Sequence, residues 1–395
     1  MQGVARGAIG VGEAMTAVAL DAVAALRDRI ADAAESKTRL RISGRGTWLD
    51  AGRPVAATDT LSTRELSGIS GYVPADLTLT ALAGTTLAEI REATRANGQW
   101  LALDPAGSDD GTIGATIATA SAGPLRTLFG SPRDLTLGLE FITGEGTIAR
   151  GGGRVVKNVA GFDITRLLTG SWGTLGVITE VTVRLHARPE ADETIAIALE
   201  DASHVGRVRA LLRRAPFAPY ACEILNPSLA KIVVGSDATV AMFRLGGNGE
   251  AVAAQRSAFA ELGTSAELEV TAWDRLRASE PAGAIVFRLS GPPSELEQTW
   301  VDAMSISRAC PGTRLHASPS RGVVRVITPA SGDAIAFLRS SFGMQNDGTR
   351  IGERLPAQLW PAIAPPPAAD SLSVGIKRAF DVHNILNPGI LGEPA

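Results

Sequence analysis

The residues of this chain best placed to do chemistry are mostly glycines, gathered in three clusters where strands should end. The first is Ser43-Gly44-Arg45-Gly46-Thr47. The second runs from Pro105-Ala106-Gly107-Ser108 through Thr112-Ile113-Gly114-Ala115-Thr116-Ile117-Ala118-Thr119 to Gly123. The third opens at Gly151-Gly152-Gly153, passes Lys157-Asn158-Val159-Ala160-Gly161-Phe162-Asp163, and closes at Gly170-Ser171-Trp172-Gly173-Thr174-Leu175-Gly176-Val177-Ile178. Glycine lets successive amide N–H groups face an anion with no side chain in the way. Any one cluster serves equally well as plain turns. Together they point to backbone loops converging on one elongated polyanion.

Other chemistries lack their residues. There is no GxxxxGK[ST] phosphate loop, and no strand-linked GxGxxG with an acidic residue ~20 positions on. The four histidines, His186, His204, His316 and His383, fall in unrelated segments without an HExxH pattern, so no metal site is expected. Cys222 and Cys310 are the only cysteines, which excludes an iron–sulfur cluster held by this chain and a disulfide framework. The net charge is −3 and no basic run exceeds a pair of arginines, so nucleic acid is not an expected partner. No apolar run reaches the roughly 18 residues of a membrane span, and the N-terminus lacks the pattern of a signal peptide. A cytoplasmic protein is expected, reaching a membrane only through partners.

The elements that would position the glycines follow from periodicity. A helix is expected over 17–35, with Val18, Val23, Leu26 and Ile30 near helical spacing, then a strand over Arg39–Ser43. Asp76–Ala81 alternates as a strand with Leu77, Leu79 and Ala81 on its apolar face. Thr86 and Glu89 form a capping box for a helix over Leu87–Asn97. Further strands are expected at Leu135–Thr143, with Leu135, Leu137, Leu139 and Phe141 inward, at Thr147–Ala149, and at Val177–Leu185. From about 190 to 362 short strands (Glu193–Ala198, Ala238–Leu245, Ala284–Leu289, Val323–Ile327) alternate with helices over 202–214, 249–261 and 294–309. Pro365-Pro366-Pro367 is a stiff linker before a short helix with Leu372, Ile376 and Phe380 at spacing four. The fold class is α+β, not a doubly wound parallel sheet. Expected boundaries are 1–188, 189–364 and 365–395.

With those motifs laid out, the segment from about 40 to 188 resembles the FAD-binding domain of the vanillyl-alcohol oxidase/PCMH flavoprotein family. Within it, Gly151–Pro189 and the closing Ile385–Leu391 are most similar to the FAD-binding E subunits of bacterial glycolate oxidases. The resemblance implies a PCMH-type domain of two α+β subdomains, a smaller α+β cap domain, and a C-terminal segment returning to the flavin. It places Ser43, Gly44, Arg45, Gly46 and Thr47 at the pyrophosphate. Pro105, Gly107, Ser108, Thr112, Ile113, Gly114, Ala115, Ala118, Thr119 and Gly123 would line flavin and diphosphate. Gly173, Thr174, Gly176 and Ile178 would hold the adenosine end, and Asn387 would reach the isoalloxazine ring. Many relatives attach FAD through a histidine in the first loop; here Thr47 follows Gly46 with no histidine near, which implies non-covalent FAD. Ala115, Phe162 and Trp172 depart from the family's usual glycine, tyrosine and acidic residue.

The same resemblance implies a subunit of a glycolate oxidase complex, with a larger FAD-containing subunit and an iron–sulfur subunit as partners. Alternatives are a stand-alone oxidase or dehydrogenase of a small alcohol or hydroxy acid, and an assembly subunit whose FAD is redox-silent. Related hydroxy-acid dehydrogenases carry a histidine- and acid-rich metal motif in the second domain; residues 190–362 hold only His204 and His316. Arg321 and Arg325 offer cations for a carboxylate and His316 a base, but all three also read as solvated strand and loop residues. Lys157 reads as structural. No catalytic residue is assigned.

Overall fold

The computed structural model describes residues 9–153, 163–201, 203–342, 349–363 and 370–392. Of the Lys157–Asp163 motif only Asp163 falls inside the described residues, and the Pro365–Pro367 linker lies outside them.

Alternating apolar residues in the first half build an antiparallel five-stranded sheet. Its order is Ile69–Val73, Thr78–Leu82, Val177–Arg184, Thr136–Ile142, Ile148–Gly152. Leu79, Ala81, Phe141, Val181 and Val183 share a core with Leu87 and Ile90 of helix Leu87–Arg95 and with Ile113 and Ile117 of helix Ile113–Thr119. The expected capping box is present: Thr86 Oγ1 accepts the Glu89 N–H at 3.1 Å, and Glu89 Oε2 accepts the Thr86 N–H at 2.7 Å.

Four expectations need correction here. The strand expected from Asp76 begins at Thr78, because Pro74–Asp76 is a 3-10 turn. Its threonine face is buried too, where Thr80 and Thr182 hydroxyls meet at 3.0 Å. Leu137 is only half-buried, since β-bulges at Thr136/Gly138 and Glu140/Phe141 shift the phase of the alternation. Residues Ile113–Thr119, read as glycine-rich loop, form a helix whose N-cap is Thr112.

Helix Ile9–Ser36 starts well before the expected residue 17. It lays Val23, Leu26 and Ile30 against Leu40, Leu82 and Val177, and against Ile385 and Leu386 from the far end of the chain. Strand Leu40–Ser43 pairs in parallel with Asp59–Ser62, and Leu386 bridges to Leu40. A buried ion pair fixes this return. Asp381 accepts N–H groups from Ile385 and Leu386 and sits 2.6 Å from Lys377 Nζ, which also donates to the carbonyls of Thr174 and Leu386.

Residues 191–354 build an antiparallel eight-stranded sheet. Its order is Ser265–Leu268, Ala191–Leu199, Thr239–Gly247, Ala221–Leu225, Arg314–Ser318, Val323–Thr328, Ile285–Ser290, Arg350–Arg354. Side chains alternate across a strand, so two faces result. On one, Phe287, Leu289, Leu315, Ala317, Val324 and Val326 form a core with Val208, Trp300 and Leu338 from helices Ser203–Arg214, Leu296–Ala309 and Gly332–Phe342. The intervening residues His316, Arg325 and Arg288 lie directly opposite one another on three adjacent strands. That polar row faces the first half. The architecture is α+β, with both large sheets antiparallel.

Candidate functional site

The structure gathers three separated segments and the C-terminal turn around one groove of about 640 Å³. One side is formed by Ser43, Gly44, Gly46 and Thr47; a second by Gly114, Ala115, Ala118 and Thr119; a third by Gly173, Gly176, Ile178 and Asn387.

Only part of this lining has free backbone donors. Among the described residues, the N–H groups of Gly44, Arg45, Gly46 and Thr47 donate to no protein acceptor, and Gly46 has φ +86°. Successive free amides in a turn of this kind make an anion nest. The helix beginning at Ile113 differs, because its first amides are engaged: Ile113 with Thr85 O, Gly114 with Ala83 O, Ala115 with Thr112 Oγ1, Thr116 with Thr112 O. Gly114 is there for packing, since a Cβ would stand 2.7 Å from that of Ala83. These residues shape the wall and leave the nest to hold charge.

Other sequence-derived candidates lie away from the groove or serve it indirectly. Arg45 points its side chain to solvent. Pro105 and Gly107 dock on Arg277 through their carbonyl and amide, and Ser108 bonds Asp110. Thr112 caps its helix, Ile113 is core, and the Thr174 hydroxyl is held by Ser171 O at 2.7 Å. Gly123 lines the neighbouring cleft, its N–H held by Asp104 Oδ1 at 3.1 Å. Asn387 is a brace: Oδ1 accepts the Ile42 N–H at 2.8 Å and Nδ2 donates to Trp172 O at 2.7 Å.

The groove opens into a larger cleft of about 1310 Å³ between the two halves; both are lined by Trp48, Thr119, Trp172 and Ile390. Trp48 and Trp172 meet edge-to-face with ring centroids 5.9 Å apart, and Trp172 holds φ +55°, rare for a residue with a Cβ. The cleft's far wall is the polar row of the eight-stranded sheet. There His316 Nδ1 lies 2.7 Å from Glu223 Oε2, and the other oxygen of Glu223 accepts from Ser318 Oγ. Glu223 is 1% exposed. Arg325 pairs with Glu353 and, at 2.7 Å, with Glu280; Arg288 sits 2.7 Å from Glu353. Burial alone would raise the Glu353 carboxyl, but Arg325, Arg288 and Arg354 outweigh it and hold the group below its ordinary range.

Two further groups in the cleft are perturbed by burial. Asp104, held by the N–H groups of Gly123 and Leu125, is pushed up to about 7 by desolvation. Arg321 is pushed down to about 10, first by burial and then by Arg126. His316, Arg321 and Arg325, which the sequence also allowed as solvated residues, all stand in this cleft. Sequence reasoning missed Trp48, Arg126 and Glu223. The tryptophan follows the first glycine cluster directly, and Glu223 interrupts an otherwise apolar strand, Ala221–Leu225. Among the described residues, no group of three His, Cys, Asp or Glu side chains is placed to hold a metal ion.

Free amides at Gly44–Thr47 suit a diphosphate, and the groove running from them to the tryptophan pair suits the elongated remainder of a flavin dinucleotide. The class follows from the matched segment: residues 16–152 fit the family model described as FAD binding domain, so this part of the chain is similar to FAD-binding domains. Its relatives are more particular. The chain is 41% identical over 181 residues to the glycolate oxidase subunit GlcE of Escherichia coli (strain K12), covering 45% of this chain and 51% of that one. It is 34% identical over 158 residues to the glycolate oxidase subunit GlcD of Bacillus subtilis (strain 168), covering 40% and 34%. The chain thus spans about half, or less, of these relatives' lengths. The structure of p-cresol methylhydroxylase with substrate bound shares the fold, with a TM-score of 0.71 at 15% identity, covering 94% of this chain and 87% of that chain.

Proposed function

We propose that this chain is the FAD-binding subunit of a glycolate oxidase complex. Within that complex, beside a larger flavin subunit, glycolate or another small 2-hydroxy acid would be oxidised to the 2-oxo acid, with electrons passed via flavin to an iron–sulfur partner. The observation that carries the reading is the junction of groove and cleft. Residues suited to FAD open, past Trp48 and Trp172, onto a wall of guanidinium groups and a histidine–glutamate pair. The names of the Escherichia coli and Bacillus subtilis relatives support the substrate and the complex.

The Gly44–Thr47 amides would hold the diphosphate, while Asn387 keeps strand Leu40–Ser43 and Trp172 in register on either side of the groove. FAD, when bound, supplies the acceptor for a hydride equivalent from the carbon bearing the hydroxyl. His316 Nε2, which makes no hydrogen bond among the described residues, takes the hydroxyl proton, and Glu223 on Nδ1 holds the ring in the tautomer that leaves Nε2 a lone pair. With only two cysteines, the chain needs a partner to carry an iron–sulfur cluster. No helix among the described residues is long and apolar enough to cross a membrane, and any membrane attachment would run through the complex.

A second reading, a stand-alone dehydrogenase, is favoured by one observation: the cleft is built from this chain's own side chains. Anaerobic mixing of the FAD-loaded chain with glycolate, alone and within the co-purified complex, decides between them. Bleaching of the flavin band only in the complex supports the subunit reading. Prompt bleaching of the isolated chain supports the stand-alone enzyme, and a flavin silent in both settings overturns both.

A further inference from the structure

We propose that Arg126 and Arg321 form a two-point clamp for a carboxylate of the substrate, one arginine contributed by each half of the protein. The inference rests on the hydroxy-acid reading above and names the groups that would recognise the acid. Arg126 opens the short helix Arg126–Phe129, three residues after Gly123. Arg321 occupies the turn between strands Arg314–Ser318 and Val323–Thr328. Both are half-buried, and both line the cleft.

Their neighbours make the contrast. Arg277 is paired with Asp109, Arg288 with Glu353, Arg325 with Glu280 and Glu353, and Arg354 with Glu280. Among the described residues neither Arg126 nor Arg321 has an ion pair or a side-chain hydrogen bond. A guanidinium withdrawn from water without a counter-ion is costly. Burial lowers the proton affinity of both, and Arg126 adds to the lowering of Arg321. Asp134 near Arg126, and Glu223 and Asp104 near Arg321, offset this only in part, and none of them pairs with either guanidinium among the described residues. An anion between them would relieve burial and mutual repulsion together. Guanidinium groups match the planar geometry of a carboxylate, with two parallel N–H···O bonds available from each. The remaining face of the cleft offers His316, so an acid held by its carboxylate would present its hydroxyl to a base. The FAD diphosphate has its own nest at Gly44–Thr47 and leaves these arginines unanswered.

The test uses FAD-loaded protein and oxalate, a small carboxylate with no oxidisable hydroxyl. Titration should perturb the flavin absorption band saturably, and oxalate should raise the melting temperature of the flavin-free protein. Arg126→Met and Arg321→Met should each weaken oxalate binding by roughly 10- to 100-fold, as for loss of a charge-assisted hydrogen bond, and leave FAD affinity unchanged. Uncharged oxamide should do nothing, and inorganic phosphate should compete weakly. Saturable oxalate binding that survives both substitutions overturns the clamp, as does absence of oxalate binding to protein with FAD in place. Glycolate turnover unaffected by either substitution overturns the clamp and leaves the hydroxy-acid reading standing. Oxalate binding lost with the arginines, in a protein that oxidises no hydroxy acid, keeps the clamp and removes that reading.

Discussion

His316 Nδ1 lies 2.7 Å from a carboxylate oxygen of Glu223, across the junction of strands Ala221–Leu225 and Arg314–Ser318. Glu223 sits opposite Ser318 in that register and is reached diagonally by His316, so strand pairing sets the dyad. Removing the base by His316→Ala should lower kcat by about 10²- to 10⁴-fold with a smaller effect on KM. Glu223→Gln should lower kcat less, because a neutral amide tolerates either ring tautomer. Steady-state kinetics of the assembled complex read both; unchanged kcat in His316→Ala removes the histidine from the chemistry.

Asn387 ties the C-terminal turn to two segments more than two hundred residues earlier. Asn387→Ala leaves the Ile42 N–H and the Trp172 carbonyl without their partner, at a cost of about 1–3 kcal/mol for each group that stays buried. Urea denaturation of the flavin-free protein should show a lower midpoint, and FAD affinity should fall as the groove walls lose their spacer. Asn387→Asp keeps the acceptor for Ile42 and loses the donor to Trp172, so it should fall between.

Asp104 makes stability depend on pH. Its carboxyl is raised from 3.8 to about 7 in the folded chain, so between those values the native state binds more protons than the unfolded one. Stability should therefore decline as pH rises from about 4 to 7 and level off above. Asp104→Asn should flatten that slope. Thermal unfolding at a series of pH values measures it, and a slope of the same size in the variant contradicts the assignment.

Gly114 separates packing from ligand binding. Gly114→Ala would press a methyl against Ala83, whose Cβ is 2.7 Å and carbonyl oxygen 2.8 Å from the new atom. Overpacking of this kind costs about 1–3 kcal/mol. The loss should appear in the melting temperature of the flavin-free protein. A variant that melts normally but binds FAD poorly would mean that the glycine serves the ligand directly.

The sequence by itself determined the groove's residue types and many of the local elements, though not the helix Ile113–Thr119. Alternation marked Val177–Arg184 and the strands of the second half, Thr86 and Glu89 announced their helix, and the glycine clusters marked the segments that meet. Those signals act over a few residues, so a single chain displays them. Bulges that displaced Leu137 depend on strand Val177–Arg184, some forty residues on, and the burial of Thr80 depends on Thr182, about a hundred residues away. Only tertiary structure decided which glycines keep free amides, because Gly114 differs from Gly46 through a contact with Ala83. It also decided what the polar face of the eight-stranded sheet is for. An alternating strand says that one side is polar, never whether that side meets water or another layer. Here it meets the first half, which places His316, Arg321 and Arg325 opposite Trp48 and Trp172.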